Sequence, residues 1–104
     1  MPYLDNSSRE RAQDPVFNHT TGTKTSVTSS ATVITPGAED RYIRISSDAD
    51  IYVNTAGATA VDDGTSILIK ANQPEIIPVI GGTAVKALSA SGTAVVRCTP
   101  FKLR

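Results

Sequence analysis

Very few side chains in this sequence have the chemistry of a catalytic site. His19 is the single histidine and Cys98 is the single cysteine. A catalytic base or a metal centre needs several polar groups within hydrogen-bonding or ligand distance of one another, which one histidine in a polar segment does not provide. Cys98 follows Val95 and Val96 in a strand-like run, where a thiol normally behaves as a small buried hydrophobe. The sequence therefore predicts no catalytic residue and a structural role for Cys98.

Two acidic clusters are the next candidates for chemistry, one formed by Asp48 and Asp50 and the other by Asp62 and Asp63. Calcium takes roughly six to eight oxygen ligands, and neither cluster continues to the glutamate that closes an EF-hand loop. Aspartate in a turn commonly accepts hydrogen bonds from nearby backbone N–H groups, which is the simpler interpretation of both clusters. Glycoside hydrolysis by paired carboxylates favours an aromatic-lined cleft, and the chain has no tryptophan. We therefore predict no metal and no cofactor.

The composition is that of one small domain. The chain has 104 residues, of which 39% are hydrophobic and 5% aromatic, so the core is thin and an oligomer or a host surface is favoured. Ten basic and ten acidic residues cancel, and the basic ones are scattered along the chain, which does not favour nucleic acid as a partner. No signal-peptide core and no membrane-spanning stretch of roughly 20 apolar residues is present in the sequence. We expect synthesis in the cytoplasm and no membrane partner.

Short strands are predicted throughout the chain after residue 24. Runs rich in β-branched residues alternate with Gly, Pro, Asn and Asp turn signals roughly every ten residues, which is typical of a β-sandwich or barrel. The runs are 25–34, 42–45, 51–53, 66–70, 75–80, 84–89 and 93–99. They predict an all-β fold, a small antiparallel β-sandwich or barrel of about seven or eight short strands. Pro78 lies inside one run and points to an edge strand or a bulge, because proline cannot donate to the ladder.

Two pairs of these runs are separated by only a few polar residues. The runs at 42–45 and 51–53 flank a turn-like segment that includes Asp48 and Asp50, and the runs at 84–89 and 93–99 flank Ala90-Ser91-Gly92. Alternating runs joined by so short a polar segment favour β-hairpins. The sequence therefore predicts a hairpin in each place.

Residues 1–24 differ from the rest of the chain. They carry few β-branched apolar residues, and no helical or strand period persists, so we predict an extended N-terminal arm at 1–24 and a β-sandwich domain at 25–104. Tyr3, Leu4, Val16 and Phe17 are the apolar residues that would anchor such an arm on a partner. Together with Pro78 at its edge strand, they are the predicted partner-binding residues.

From about residue 34 to the C-terminus, the sequence contains in order R-Y-I-R-I, D-A-D-I-Y-V-N, T-A-G-A-T-A, T-S-I-L-I-K-A-N-Q-P-E-I-I-P-V and V-K-A-L-S-A-S-G-T-A-V-V. This order of features resembles a group of small virion structural proteins of tailed bacteriophages. The group includes the head decoration, or cement, proteins. The chain departs from the group's pattern at Asn72-Gln73, where a glycine is usual.

The resemblance implies a function that needs no catalysis. A decoration protein binds the outer surface of the phage head and clamps adjacent subunits of the major capsid protein, which stabilises the shell. It also implies a homo-oligomer, with a trimer favoured, on the capsid surface of the virion. Strand edges and an apolar arm would suit such binding by strand addition and by small pockets.

A tail, neck or fibre component of the virion is the alternative function. Such a protein would bind a receptor or a host carbohydrate, and carbohydrate sites favour exposed aromatic platforms. Tyr42 and Tyr52 are the side chains available for one. Tyrosines exposed on one face would favour this alternative, and tyrosines buried in the core would count against it.

Overall fold

The computed structural model describes residues 14–103 of the chain. Within that range, the secondary structure consists of nine β-strands and one 3-10 turn. The strands are β1 Pro15–Phe17, β2 Thr23–Val27, β3 Ala31–Ile34, β4 Tyr42–Ser47, β5 Ile51–Asn54, β6 Ile67–Ile69, β7 Glu75–Pro78, β8 Val85–Ser89 and β9 Ala94–Leu103, and the 3-10 turn is His19–Thr21. The predicted all-β fold is confirmed. No helix among the described residues is long and apolar enough to cross a membrane.

The strands form two antiparallel sheets that face each other as a β-sandwich. Sheet A has the order β1-β9-β4-β7, with β2 also paired to β9, and sheet B has the order β3-β8-β5-β6. β1 and β2 lie end to end along one side of β9, with the 3-10 turn between them, and β4 lies along the other side. Within residues 14–103 no strand pairing joins the two sheets, so the fold is the sandwich of the two predicted alternatives.

The core lies between the sheets and is built mainly from valine and isoleucine. In β4, Ile43 and Ile45 are fully buried, while Tyr42 and Arg44 point to the opposite face. Each such side chain contributes roughly 1.5–3 kcal/mol when it is removed from water. The fully buried aliphatic side chains come from both sheets: Val27, Val33, Ile43, Ile45, Ile51, Val53, Ile69, Val85 and Val96.

Both predicted hairpins are wrong. β4 belongs to sheet A and β5 to sheet B, and β8 and β9 are divided in the same way. Each of these strands has one apolar face. When the two strands of a pair lie in opposite sheets, their apolar faces point toward each other and both are buried in the core. The two crossings lie side by side, because the Asp48 N–H donates to Val95 O at 3.3 Å and the Ala90 N–H donates to Asp50 O at 3.0 Å.

Two details of the predicted turns and edges are visible at β7. The strand is the outer strand of sheet A, so the predicted edge position of Pro78 is confirmed. Asn72, in the turn before it, has φ of 59°. That left-handed conformation favours glycine and is next most readily adopted by asparagine, so Asn72 fits this turn without a glycine.

The predicted arm is partly described. β1 and the first two residues of β2 fall within 14–24, and both strands pair with β9. The predicted boundary between residues 24 and 25 falls inside β2, because the hydrogen-bonded ladder extends from Val27 back to Thr23. The part of the arm at 1–13 lies outside the described residues.

Candidate partner-binding face

Four side chains lie in one row across the outer face of sheet A, the face turned away from the core. Strand register aligns Phe17 of β1 with Phe101 of β9, Phe101 with Tyr42 of β4, and Tyr42 with Pro78 of β7. Neighbouring strands lie about 4.8 Å apart, so the row is about 14 Å wide. We call these four side chains (Phe17, Phe101, Tyr42 and Pro78) the aromatic row.

The rings of the aromatic row pack on one another. The centroid of Phe101 lies 4.9 Å from that of Phe17 and 5.3 Å from that of Tyr42, and Phe101 is only 3% exposed although it lies outside the core. His19 stacks on Phe17 with a centroid distance of 5.9 Å. Such aromatic pairs contribute about 0.5–1.5 kcal/mol each beyond the area they bury. The row is therefore held in one arrangement by its own contacts.

An apolar groove of about 320 Å³ opens beside the aromatic row. It is lined by Pro15, Phe17, Tyr42, Ile76, Phe101 and Leu103, none of which carries a charge. Ile76 is 59% exposed and Leu103 is 37% exposed. Exposed apolar surface grouped in this way marks interaction sites on soluble proteins. The groove makes this end of sheet A a candidate site for a protein partner.

The structure brings together two of the five predicted partner-binding residues. Phe17 and Pro78 lie at the two ends of the aromatic row. Val16 points to the opposite side of β1, where it lines a separate cleft of about 440 Å³ beside the loop at 37–40. Tyr3 and Leu4 lie outside the described residues.

The sequence reasoning missed Tyr42, Phe101, Ile76 and Leu103 as parts of this face. A partial signal was present in the alternation of β4, which places Tyr42 opposite the buried Ile43. No local pattern could show that β1, β4, β7 and β9 would align these side chains, because the strands come from distant parts of the chain.

Both edges of sheet A carry a proline whose backbone points away from the sheet. At one edge the Val79 N–H donates to Arg41 O at 2.9 Å, so the backbone of Val79 points toward β4. Successive residues of a strand direct their backbone groups to opposite sides, so the backbone nitrogen and C=O of Pro78 point away from the sheet. At the other edge the Asn18 N–H donates to Pro100 O at 2.8 Å, and Pro15 faces outward in the same way. Proline has no N–H to offer an added strand. The expected strand addition is thus disfavoured at β7 and β1, whereas β2, on the same edge as β1, carries no proline.

The other half of the same face is cationic. Lys24 of β2, Arg97 of β9 and Arg44 of β4 point outward and are exposed. The ion pairs formed within residues 14–103 are Lys70 with Asp50 at 3.0 Å and Lys102 with Glu39 at 3.6 Å, so none of these three cations is in an ion pair with another described residue. Basic residues that are scattered in the sequence therefore converge in the fold.

The side chains with nucleophilic or metal-binding chemistry do not form a site in the described part of the chain. Cys98 is 1% exposed, and burial raises the pKa of its thiol to about 12 against a smaller opposing hydrogen bond from Thr23. The reactive thiolate is therefore scarce near neutral pH. Among residues 14–103 no group of three or more His, Cys, Asp or Glu side chains is placed to hold a metal ion.

The aspartates instead bind backbone groups at the turns. Asp50 accepts the Ala71 N–H at 2.8 Å and the Lys70 ammonium at 3.0 Å, and these two interactions lower the pKa of its carboxyl. Asp48 accepts the Val95 N–H at 2.8 Å. In the second cluster, hydrogen bonds from Thr65 lower the pKa of Asp63. The interpretation of Asp48, Asp50 and Asp63 as turn residues is confirmed.

The two tyrosines lie on opposite outer faces of the sandwich. Tyr42 belongs to the aromatic row of sheet A, whereas Tyr52 of β5 lies on sheet B between Leu68 and Leu88. Both are half-buried. They therefore do not combine into one aromatic platform for a sugar.

Comparisons with known proteins identify no relative of this chain. No family model matches the chain, and no curated protein and no solved structure matches it either.

Proposed function

We propose that this chain is a bacteriophage capsid decoration protein, which binds the outer surface of the head and clamps adjacent subunits of the major capsid protein. The observation that carries the proposal is the aromatic row with its apolar groove, an ordered and exposed apolar surface on one face of a small sandwich. The resemblance of residues 34–104 to decoration proteins supports it from the sequence. The proposed role is mechanical and involves no catalysis.

The size of the domain fits binding to a repetitive surface. A stable interface buries about 800 Å² on each partner, and the chain exposes 6008 Å², so one domain has surface both for a capsid contact and for contacts with further copies. A capsid offers many identical sites, so several linked copies gain affinity without any new contact. We propose a homotrimer for this reason, since three copies about one axis would present three identical faces to neighbouring capsid subunits.

Co-sedimentation with purified capsids that lack the protein tests the proposal. We expect saturable binding at a fixed ratio to the major capsid protein. Ile76→Asp replaces an apolar side chain of the groove with a carboxylate opposite Arg44 and should abolish binding, because the partner loses its apolar contact in the groove. Leu68→Asp is the matched control, since Leu68 is 45% exposed on sheet B and Ile76 is 59% exposed on sheet A. Absence of binding by the unmodified protein, or equal loss in both variants, would contradict the proposal.

The contribution of Tyr3 and Leu4 is tested by a separate truncation. Removing residues 1–13 leaves every described strand in place, whereas removing 1–24 would also delete β1 and the start of β2. The proposed anchoring role predicts weaker capsid binding by the chain that begins at residue 14. Unchanged binding would restrict the contact surface to the sandwich.

The alternative location in the tail, neck or fibre is distinguished in the same assay. Binding to purified tails but not to heads would replace the decoration role with this one. A carbohydrate-binding version of it is less well supported, because Tyr42 and Tyr52 lie on opposite outer faces.

A further inference from the structure

Three cations lie on the outer face of sheet A, and one of them, Arg44, is directly opposite Ile76 of the apolar groove. Lys24 lies directly opposite Arg97 in the register of β2 and β9. Arg44 lies opposite Thr99, two residues along β9 from Arg97, so the two arginines are diagonal neighbours. Diagonal neighbours are about 7–8 Å apart, within reach of long side chains. The three charges therefore form one patch.

The contact between Lys24 and Arg97 is unfavourable in the isolated protein. The Asp48 N–H donates to Val95 O, so Val95 and Arg97 direct their backbone groups toward β4. Arg97 and Lys24 consequently form a non-hydrogen-bonded pair, in which the Cα atoms approach to about 4.5 Å. Like charges directly opposite each other destabilise an antiparallel pair.

No acidic side chain within residues 14–103 compensates this patch by an ion pair. Asp48 lies diagonal to Arg97 on this face, two residues from Ser46, but it forms no ion pair with Arg97, and its Oδ1 accepts the Val95 N–H at 2.8 Å. Sequences depart from locally favourable choices mainly where a function requires it. Three neighbouring cations that form no ion pair and have one acidic diagonal neighbour are such a departure.

We infer that the outer face of sheet A binds a protein surface on which carboxylates flank an apolar anchor. The anchor occupies the groove beside the aromatic row, and the carboxylates pair with Arg44, Arg97 and Lys24. Arginine suits this role because its guanidinium binds a carboxylate through two parallel hydrogen bonds. The inference rests on the proposed function in one respect, which is that the bound surface belongs to the major capsid protein.

The close packing of the aromatic rings favours a protein partner over a single-stranded nucleic acid. Nucleic-acid-binding sheets present open ring faces on which bases stack. Here Phe101 is 3% exposed and its ring is covered by Phe17 and Tyr42. The chain as a whole also has no net charge, whereas phosphate binding depends on a strong excess of cations.

A peptide titration tests the inference without any capsid. The probe is a synthetic peptide in which glutamates flank a central Trp-Leu pair, and the comparison peptide has lysines in place of the glutamates. Oligodeoxythymidylate is the nucleic-acid probe. We expect the glutamate peptide to shift the NMR signals of Phe17, Tyr42 and Arg97, with neither of the other probes doing so.

Variants sharpen the titration. Arg44→Glu combined with Arg97→Glu should weaken glutamate-peptide binding by about tenfold or more, because a favourable charge contact becomes a repulsive one. Lys86→Glu is the control, since Lys86 lies on sheet B between Thr32 and Asn54. Equal binding of the two peptides, tighter binding of the oligonucleotide, unchanged binding by the double variant or no shift on this face would each overturn the inference.

The capsid assay separates this inference from the proposed function. Capsid binding that is lost in the double arginine variant, retained in Lys86→Glu and weakened by salt supports both. Capsid binding that is indifferent to the double variant and to salt overturns the inference and leaves the decoration role. Peptide binding without capsid binding overturns the decoration role and leaves the inferred chemistry of the face.

Discussion

The two outer faces of the sandwich differ in how their charges are satisfied. On sheet B, Lys70 pairs with Asp50 at 3.0 Å, and the nearby Asp62 carboxylate adds to the burial that raises the pKa of Tyr52. On sheet A, Arg44, Arg97 and Lys24 have no ion-pair partner among residues 14–103. Sheet B therefore leaves one cation, Lys86, without an ion pair among the described residues, while sheet A leaves three neighbouring cations for another molecule to match.

Both faces also carry a row of apolar side chains, so apolar content alone does not distinguish them. Leu88, Tyr52 and Leu68 form the row on sheet B. The row on sheet A contains Phe101, which is almost fully covered by its neighbours, and opens into a groove of about 320 Å³. The difference indicates that sheet A has an ordered surface built outside the core.

The largest expected effect compares one apolar side chain from each of these two rows. Phe101→Ala should lower the free energy of unfolding by about 3 kcal/mol, because it removes a buried ring and leaves Phe17 and Tyr42 without their common contact. Leu88→Ala, at a half-buried position of sheet B, should cost about 1 kcal/mol. Urea denaturation measures both values, and equal losses would show that the aromatic row is no more ordered than its counterpart.

Removing one charge from each face should change stability in opposite directions. Arg97→Thr relieves the contact with Lys24 and should raise the free energy of unfolding by about 0.5 kcal/mol in low salt. The gain should shrink as salt screens the charges. Lys70→Thr removes the ion pair with Asp50 and should cause a small decrease instead. Destabilisation by Arg97→Thr in low salt would mean that the sheet A charges are matched within the chain.

The smallest expected effect is a pH dependence confined to sheet B. The Ala71 N–H and the Lys70 ammonium lower the pKa of Asp50 below its ordinary value of 3.8. A carboxyl with a lowered folded-state pKa stabilises the fold above its unfolded pKa, and that stabilisation is lost as pH falls through the folded value. Asp50→Asn should therefore be less stable than the unmodified protein at neutral pH, and the difference should vanish in acid. A constant difference across pH would contradict this account.

The loss of stability at alkaline pH provides a second test on the outer face of sheet B. Partial burial and the hydrogen bond to Asp62 raise the pKa of Tyr52 above 10.0. A raised folded-state pKa stabilises the fold below the unfolded value, and this contribution disappears as pH rises through the folded value. Tyr52→Phe should lose less stability than the unmodified protein above about pH 10. Identical alkaline profiles would show that Tyr52 titrates as it does in the unfolded chain.

The sequence was sufficient for the fold class because strand alternation is a local property. Ile43 and Ile45 mark the buried face of β4, and Pro78 marks an edge, without any knowledge of their partners. Strand pairing is not local. The hairpin predicted for β4 and β5 failed because burial of both apolar faces is decided by closure of the whole core, which sends the two strands to opposite sheets.

The candidate site was predictable only in fragments for the same reason. Phe17 and Pro78 stood out as apolar residues in unusual settings, but their common row depends on the register of β1, β9, β4 and β7. Lys24 and Arg97 lie 73 positions apart in the sequence and face each other only because β2 pairs with β9. Scattered charges in a sequence are therefore no guide to their distribution on a sheet.

Oxidative footprinting of the capsid-bound protein tests the central claim most directly, because it monitors both outer faces in one sample. Hydroxyl radicals label exposed aromatic and aliphatic side chains, and mass spectrometry locates the labels. The account predicts that Phe17, Tyr42 and Ile76 on sheet A are protected on binding, while Tyr52 and Leu68 on sheet B react as in the free protein. Protection of sheet B with sheet A unchanged would contradict it.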